Sequence, residues 1–213
     1  MMARHRGTLA AAVIILVTIL DQWLKIYIKT NFYLGEDVEI TSWFHLYFVQ
    51  NPGMAFGWEM GSKLALTLFR IAAIIAGIYY LVRLHQSRRE PVGYVVCIAL
   101  IVAGAIGNVI DCTFYGLIFD NPAPPHLATL FPASGGYAPL LHGQVVDMLY
   151  FPLISFDWPS WMPWIGDTRF VFFHPIFNIA DAAISTGIIA LLLFYHKHLG
   201  FSSADGNDAE KNQ

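Results

Sequence analysis

Four apolar runs, at residues 9–28, 64–82, 92–110 and 176–195, each come close to the roughly 20 residues that a helix needs to cross a bilayer. Hydrocarbon offers no water to bond a free backbone N–H or C=O, so such runs are predicted to be helices. Composition agrees, because 56% hydrophobic and only 13% charged residues are far from the balance of a soluble domain. The 213 residues accommodate these spans and modest connections, but not a separate soluble domain with a large core of its own. The expected fold is an all-α membrane protein of four transmembrane helices, with a small β-containing element and a loop or helical insertion on the outer face. Residues 1–200 read as one integral membrane domain and the polar stretch 201–213 as a disordered tail.

Four spans place both ends of this frame on one side, and the basic residues assign that side to the cytoplasm. Arg4 and Arg6 precede the first run, Arg83, Arg88 and Arg89 separate the second from the third, and Lys197 follows the fourth. The two long connections on the other side carry Glu36, Asp37, Glu39 and Glu59, then Asp120, Asp157 and Asp167. The first run reads as a retained anchor. Asp21, Gln22 and Lys25 follow it where a cleavage site requires small side chains. Cys97 and Cys112 provide no disulfide framework.

Between the first two runs, "SWFHLYFVQNPGMAFGWE" starts as an aromatic stretch suited to a strand and then turns at Asn51, Pro52 and Gly53. A strand or small sheet at the outer membrane surface is expected there. "FDWPSWMPWIGDTRFVFFHP", before the fourth run, has the Trp and Phe content of an interfacial segment.

On this topology Asp21, Asn108, Asp111 and Asp181 all lie near the outer ends of their spans, and Asp147 of "GQVVDMLYF" falls on the same side. An ionisable group at membrane depth is expensive unless paired or hydrated, so carboxylates gathered at one level point to a site. Two carboxylates held close do not both ionise readily. The charged one then activates water as a base while the protonated one polarises a carbonyl.

"DQWLK" (21–25), "NPGMAFG" (51–57), "GNVID" (107–111), "VVDM" (145–148) and "FNIAD" (177–181) occur in the order and topological positions typical of lipoprotein signal peptidases, also called signal peptidase II. The chain resembles that family over most of its length. The resemblance implies a membrane aspartyl endopeptidase of the bacterial cytoplasmic (inner) membrane, acting on the outer side. It would remove signal peptides of prolipoproteins by cutting just before a diacylglyceryl-modified cysteine. Carried over by motif, Asp147 and Asp181 are the catalytic pair, while Asn51, Gly53, Asn108, Asp111 and Asn178 line or brace the site. Asp21 and Lys25, four residues apart, match a further motif and are expected to form a structural ion pair on one helix face. The implied partners are lipid-modified prolipoproteins and membrane lipid, with no nucleic acid, no cofactor and no metal, and the chain is expected to act as a monomer.

Two departures from the family pattern stand out. Members commonly carry Arg after the aspartate of the third motif, where this chain has Cys112, leaving Arg70 or Arg169 as candidate substitutes. The connections from Asp111 to Asp147 and from Asp147 to Asp181 are also longer than the family leads one to expect, predicting extra outer-face structure.

Other chemistries have weaker claims. The eight histidines lack a metal-binding spacing such as HExxH, and "ASGG" at 133–136 does not meet the Gly-x-Ser-x-Gly pattern of a serine nucleophile. A rival from another class is a small proton-coupled transporter, or an accessory subunit of one, using Asp21, Arg70, Asp111 and Asp181 as a charge relay. Apart from Arg70, however, those residues cluster on one side instead of continuing across the bilayer. A purely structural membrane protein leaves the clustered Asp and Asn unexplained.

Overall fold

The computed structural model describes residues 6–52, 63–87 and 90–199. The first apolar run forms helix α1, Arg6–Asn31, longer at both ends than the expected 9–28. Strands β1, Asp37–Thr41, and β2, Phe44–Asn51, follow as an antiparallel hairpin in the aromatic stretch. Helix α2 is Lys63–Ser87. Helix α3 begins at Val92 and continues as one apolar helix to Ile118, through a π-helical turn at Asp111–Tyr115. Strands β3, Val145–Tyr150, β4, Ile154–Asp157, β5, Arg169–Phe172, and β6, Ile176–Phe177, lead into helix α4, Ile179–Phe194.

The chain is therefore mostly helical, with three helices long and apolar enough to cross a membrane and, as expected, a small β-sheet element. The fourth run departs from its expected bounds, since 176–177 are strand and α4 has 16 residues. Asn178 causes the shift. Its backbone is extended, its side-chain oxygen accepts the amide N–H of Asp181 at 2.8 Å, and the Asp181 carboxylate accepts the amide N–H of Asn178 in return. That reciprocal cap satisfies the first turn and starts the helix at Ile179. The expected insertion between Asp111 and Asp147 has no helix beyond Ile118, and residues 119–144 carry turns and one isolated bridge, Phe119 to Leu130.

Helix α3 is the central one. Over their apolar windows α1 and α2 are each 17% buried and α3 is 56% buried, so the first two turn most of their apolar surface outward. Small residues on α3 let α4 approach closely. A Cβ added to Gly104 would stand 2.2 Å from the backbone oxygen of Ala180, and one added to Gly187 would stand 2.7 Å from that of Cys97. Ala99 and Ala103, both fully buried, belong to the same tight packing on α3.

At the far end of this seam the sheet runs in the order β1-β2-β3-β6, antiparallel throughout, with an irregular register between Leu46 and Val49. Ile28, Phe48, Tyr115, Phe119, Val146 and Met148 form an apolar cluster that seats the sheet on the ends of α1 and α3. Lys29 is buried beside it. Its ammonium lies 5.9, 5.3 and 5.0 Å from the ring centres of Phe48, Phe119 and Tyr137, so cation–π attraction ties the 119–137 segment to α1 and β2. Strands β4 and β5 pair as a separate hairpin.

The seam between α3 and α4 has no room for a larger side chain. Replacing Gly104 by Val is expected to destabilise the protein by about 1–3 kcal/mol, the usual cost of overpacking. Thermal unfolding in detergent should then show a midpoint several degrees lower; an unchanged midpoint would contradict this packing.

Candidate active site

Helical spacing gathers the polar residues of α1 and α3 on facing surfaces. Asp21, Gln22 and Lys25 share one side of α1, and Gly107, Asn108 and Asp111 share one side of α3. The Lys25 ammonium, fully buried, lies 3.0 Å from Asp21 Oδ2, 2.8 Å from Asp111 Oδ2 and 2.9 Å from Asn108 Oδ1. Its three protons thus meet three acceptors. Gln22 extends this network, its amide nitrogen lying 2.9 Å from Asp111 Oδ1 and 3.1 Å from the oxygen of Gly107, while the Tyr115 hydroxyl donates to Gln22 Oε1. Gly107 has to be glycine for this approach, because an added Cβ would sit 2.6 Å from Asp21 Oδ2.

From this base the network reaches two further carboxylates. Asn108 donates to Asp181 Oδ1 at 2.8 Å, and Asp21 Oδ1 accepts the amide of Ala180 at 2.9 Å, anchoring the first turn of α4. Asp111 Oδ2 accepts the amide of Val146, which anchors β3 one residue before Asp147. Asn178 joins the two sides. Its amide nitrogen lies 2.6 Å from Asp147 Oδ1 and 3.1 Å from Asn108 Oδ1, and its oxygen caps Asp181. Asn51, at the end of β2, donates to Asp147 Oδ2 at 3.2 Å.

Asp147 and Asp181 differ in exposure. Asp147 is 3% exposed whereas Asp181 is half-buried. Burial pushes the Asp147 carboxyl up to about 7, and the negative charge of Asp181 adds to the rise against the hydrogen bonds from Asn51 and Asn178. Near neutral pH Asp147 therefore retains a proton for part of the time, and it has a second carboxylate as its electrostatic neighbour. A site of this composition can polarise a carbonyl with one carboxyl and take a proton from water with the other.

Of the residues expected from sequence, Asn51, Asn108, Asp111, Asp147, Asn178 and Asp181 join one connected network. The Asp21–Lys25 pair supports it from below. Gly53 and the remainder of its turn motif lie outside the described residues. Arg70 donates to Cys112 Sγ at 3.3 Å, bringing a guanidinium next to the position after Asp111, whereas Arg169 lies on β5 and donates to Ser155. A relay through Asp21, Arg70, Asp111 and Asp181 has no counterpart in this bonding, since Lys25 holds Asp21 and Asp111. Sequence reading gave no role to Gln22, Tyr115 or Lys29. For Gln22 a signal existed, as an amide beside Asp21 in an apolar helix needs partners; the ring cage of Lys29 is assembled from three distant segments.

Comparison with known proteins gives consistent results. The model of a family described as signal peptidase (SPase) II matches residues 13–197. A lipoprotein signal peptidase of Porphyromonas gingivalis (strain ATCC BAA-308 / W83) is 50% identical over 190 residues, 89% of this chain and 84% of the relative. Another from Amoebophilus asiaticus (strain 5a2) is 36% identical over 185 residues, covering 84% and 74%. A bacterial membrane enzyme solved by the in meso method at 2.3 Å resolution shares the fold, with a TM-score of 0.61 over 94% of each chain at 21% identity.

The raised Asp147 carboxyl makes a signed expectation for stability. Because the folded state binds this proton more tightly than the unfolded chain does, its contribution is fully present below the ordinary value of about 4 and is lost as pH rises through about 7. Asn at 147 has no such loss. The thermal midpoint of Asp147→Asn relative to the parent should therefore be higher at pH 8 than at pH 5; a difference independent of pH would contradict the burial argument.

Proposed function

We propose that in this chain, which belongs to the signal peptidase II family and is an aspartic peptidase removing signal peptides from prolipoproteins, Asp147 and Asp181 are the catalytic pair. The observation that carries this reading is the double role of Asn178, whose amide holds Asp147 at 2.6 Å while its oxygen caps the helix turn bearing Asp181. The two carboxyls come from a strand and a helix, yet one side chain sets their relation.

In the proposed reaction the pair carries one proton, resting on the more deeply buried Asp147. Protonated Asp147 donates a hydrogen bond to the scissile carbonyl oxygen, and Asp181 takes a proton from the attacking water. The Asp147 proton passes to that oxygen, giving a tetrahedral diol, and a diol hydroxyl returns it to Asp147 as the intermediate collapses. Transfer of the proton from Asp181 to the amide nitrogen then breaks the C–N bond. The products are a carboxyl on the signal peptide and a free amine on the diacylglyceryl-modified cysteine. Asn51, Asn108 and Asn178 hold the carboxylates in orientation, and Asp111 positions β3. Arg70 beside Cys112 supports a role for that guanidinium as the cation near the site.

The same reading assigns the setting. Residues 1–200 act as one unit of the cytoplasmic (inner) membrane with four spans, the fourth built on α4, and residues 201–213 form a polar tail. Both termini face the cytoplasm and the sheet end with its carboxylate pair faces outward. There, a signal peptide helix and a lipidated cysteine are both met without leaving the membrane. The chain works as a monomer within lipid.

Cleavage of a diacylglyceryl-modified lipobox peptide by the purified protein in detergent tests this. Asp147→Asn and Asp181→Asn should each lower kcat by about a thousandfold while leaving the fold intact, within the usual range for a lost acid or base. Full activity in either folded variant would remove that residue from the mechanism. For the parent, kcat/KM should fall as pH rises through about 7, as Asp147 loses its proton.

A further inference from the structure

Alternation along β3 turns Val146 and Met148 into the apolar cluster under the sheet and puts Asp147 and Leu149 on the opposite face. Phe177 of β6 stands across from Leu149 in the register and so shares the face of Asp147. Phe151, the next residue of that parity, stacks on Phe177 with ring centres 5.7 Å apart, and Phe44 at the start of β2 stacks on Phe151 at 4.9 Å. Trp43, in the turn before β2, stacks on Phe151 at 6.2 Å, and Phe173 meets Phe177 edge-on at 6.1 Å. Rings from three separate segments thus form one continuous row on the face that carries Asp147.

This row is open on one side. Trp43 is 53% and Phe173 43% exposed, while Phe44, Phe151 and Phe177 are each half-buried. Phe is ordinarily among the most deeply buried residues, so half-open rings in mutual contact mark a surface that a partner covers.

Position and shape select the occupant. Phe177 directly precedes Asn178, whose amide holds Asp147 at 2.6 Å and whose oxygen caps the apolar helix α4. The row therefore begins one residue from the carboxylate pair, at the end of a membrane helix. Strand residues advance about 3.3 Å each, so by Phe151 the row has moved roughly 13 Å along β3 from Asp147. From Phe151 to Phe173 it is a file of single rings. A helical signal peptide, about 10 Å across with its side chains, requires a wider trough. One extended acyl chain matches the file, and the diacylglyceryl group hangs on the cysteine whose amine the cut releases. Its glyceryl linker and the first carbons of an acyl chain span a gap of this order.

We infer that the aromatic row of Trp43, Phe44, Phe151, Phe173 and Phe177 seats an acyl chain of the diacylglyceryl-modified cysteine. This rests on the peptidase reading above. The row makes the length of the acyl chain a determinant of substrate binding, because a short acyl group ends before Phe151.

The test uses the full chain in detergent and two lipobox peptides of one sequence, with dipalmitoylglyceryl on the cysteine of one and diacetylglyceryl on that of the other. Relative to the parent, Trp43→Ala and Phe151→Ala should each raise KM for the dipalmitoyl peptide about four- to fifteenfold, the worth of one or two methylenes left uncovered, with kcat alike. KM for the diacetyl peptide should not change. Trp43 is exposed enough to be truncated without opening a core, and KM does not depend on the amount of folded enzyme. Each comparison is between variant and parent on one peptide, so partition of that peptide into detergent cancels. An unchanged KM for the dipalmitoyl peptide in both variants would overturn the acyl assignment. So would an equal rise for both peptides, which would give the row to the peptide chain. In either case cleavage by the parent upholds the peptidase. Failure of the parent to cleave both peptides would overturn both readings.

Discussion

A fully buried ammonium organises this molecule. Lys25 sits among Asp21, Asp111 and Asn108 at 2.8–3.0 Å, so no proton of its charged head lacks an acceptor. Removing one partner from such a group usually costs about 3–5 kcal/mol, because a charge is left without compensation. The constraint acts on architecture as well as on stability. Asp21, held to Lys25 through Oδ2, accepts the Ala180 amide with Oδ1, and Asp111 accepts the Val146 amide with the same Oδ2 that meets Lys25. Those two amides belong to the elements that carry Asp181 and Asp147. One cation on α1 thereby fixes the helix and the strand that the proposed chemistry requires.

Four carboxylates at one level thus divide into two kinds. Asp21 and Asp111 are committed to Lys25 and to backbone amides. Asp147 and Asp181 are held by the neutral amides of Asn51, Asn108 and Asn178, which orient a carboxylate without cancelling its charge. The difference lets one acidic cluster act as scaffold and also supply the proposed catalytic pair. Close packing of α3 on α4 through Gly104 and Gly107 makes the arrangement reachable, since larger residues would separate the two helices.

Sequence conveyed the parts governed by local rules. Apolar runs located α1, α2 and α3, and the third run matched the observed Val92–Ile110 at both ends before its π-helical continuation. Alternation and aromatic content located β2, and motif order brought out Asp147, Asp181 and the asparagines around them. The start of α4 was missed, because hydropathy alone does not reveal that Asn178 is a cap; "FNIAD" contains the signal, with an Asn three residues before an Asp. Contacts between distant segments were not legible. The ring cage of Lys29, the approach of Arg70 to Cys112 and the folding of β4–β5 against the sheet all depend on tertiary packing. The long connections announced extra structure without its form.

The proposed mechanism requires one proton to reside on Asp147 within the carboxylate pair. Infrared spectroscopy of the parent protein and Asp147→Asn in detergent measures this most directly, through the C=O stretch of a protonated, buried carboxyl. The expected result is a band that disappears with a midpoint near pH 7 in the parent and is absent from Asp147→Asn. A band that persists unchanged in Asp147→Asn would place the proton elsewhere and contradict the account.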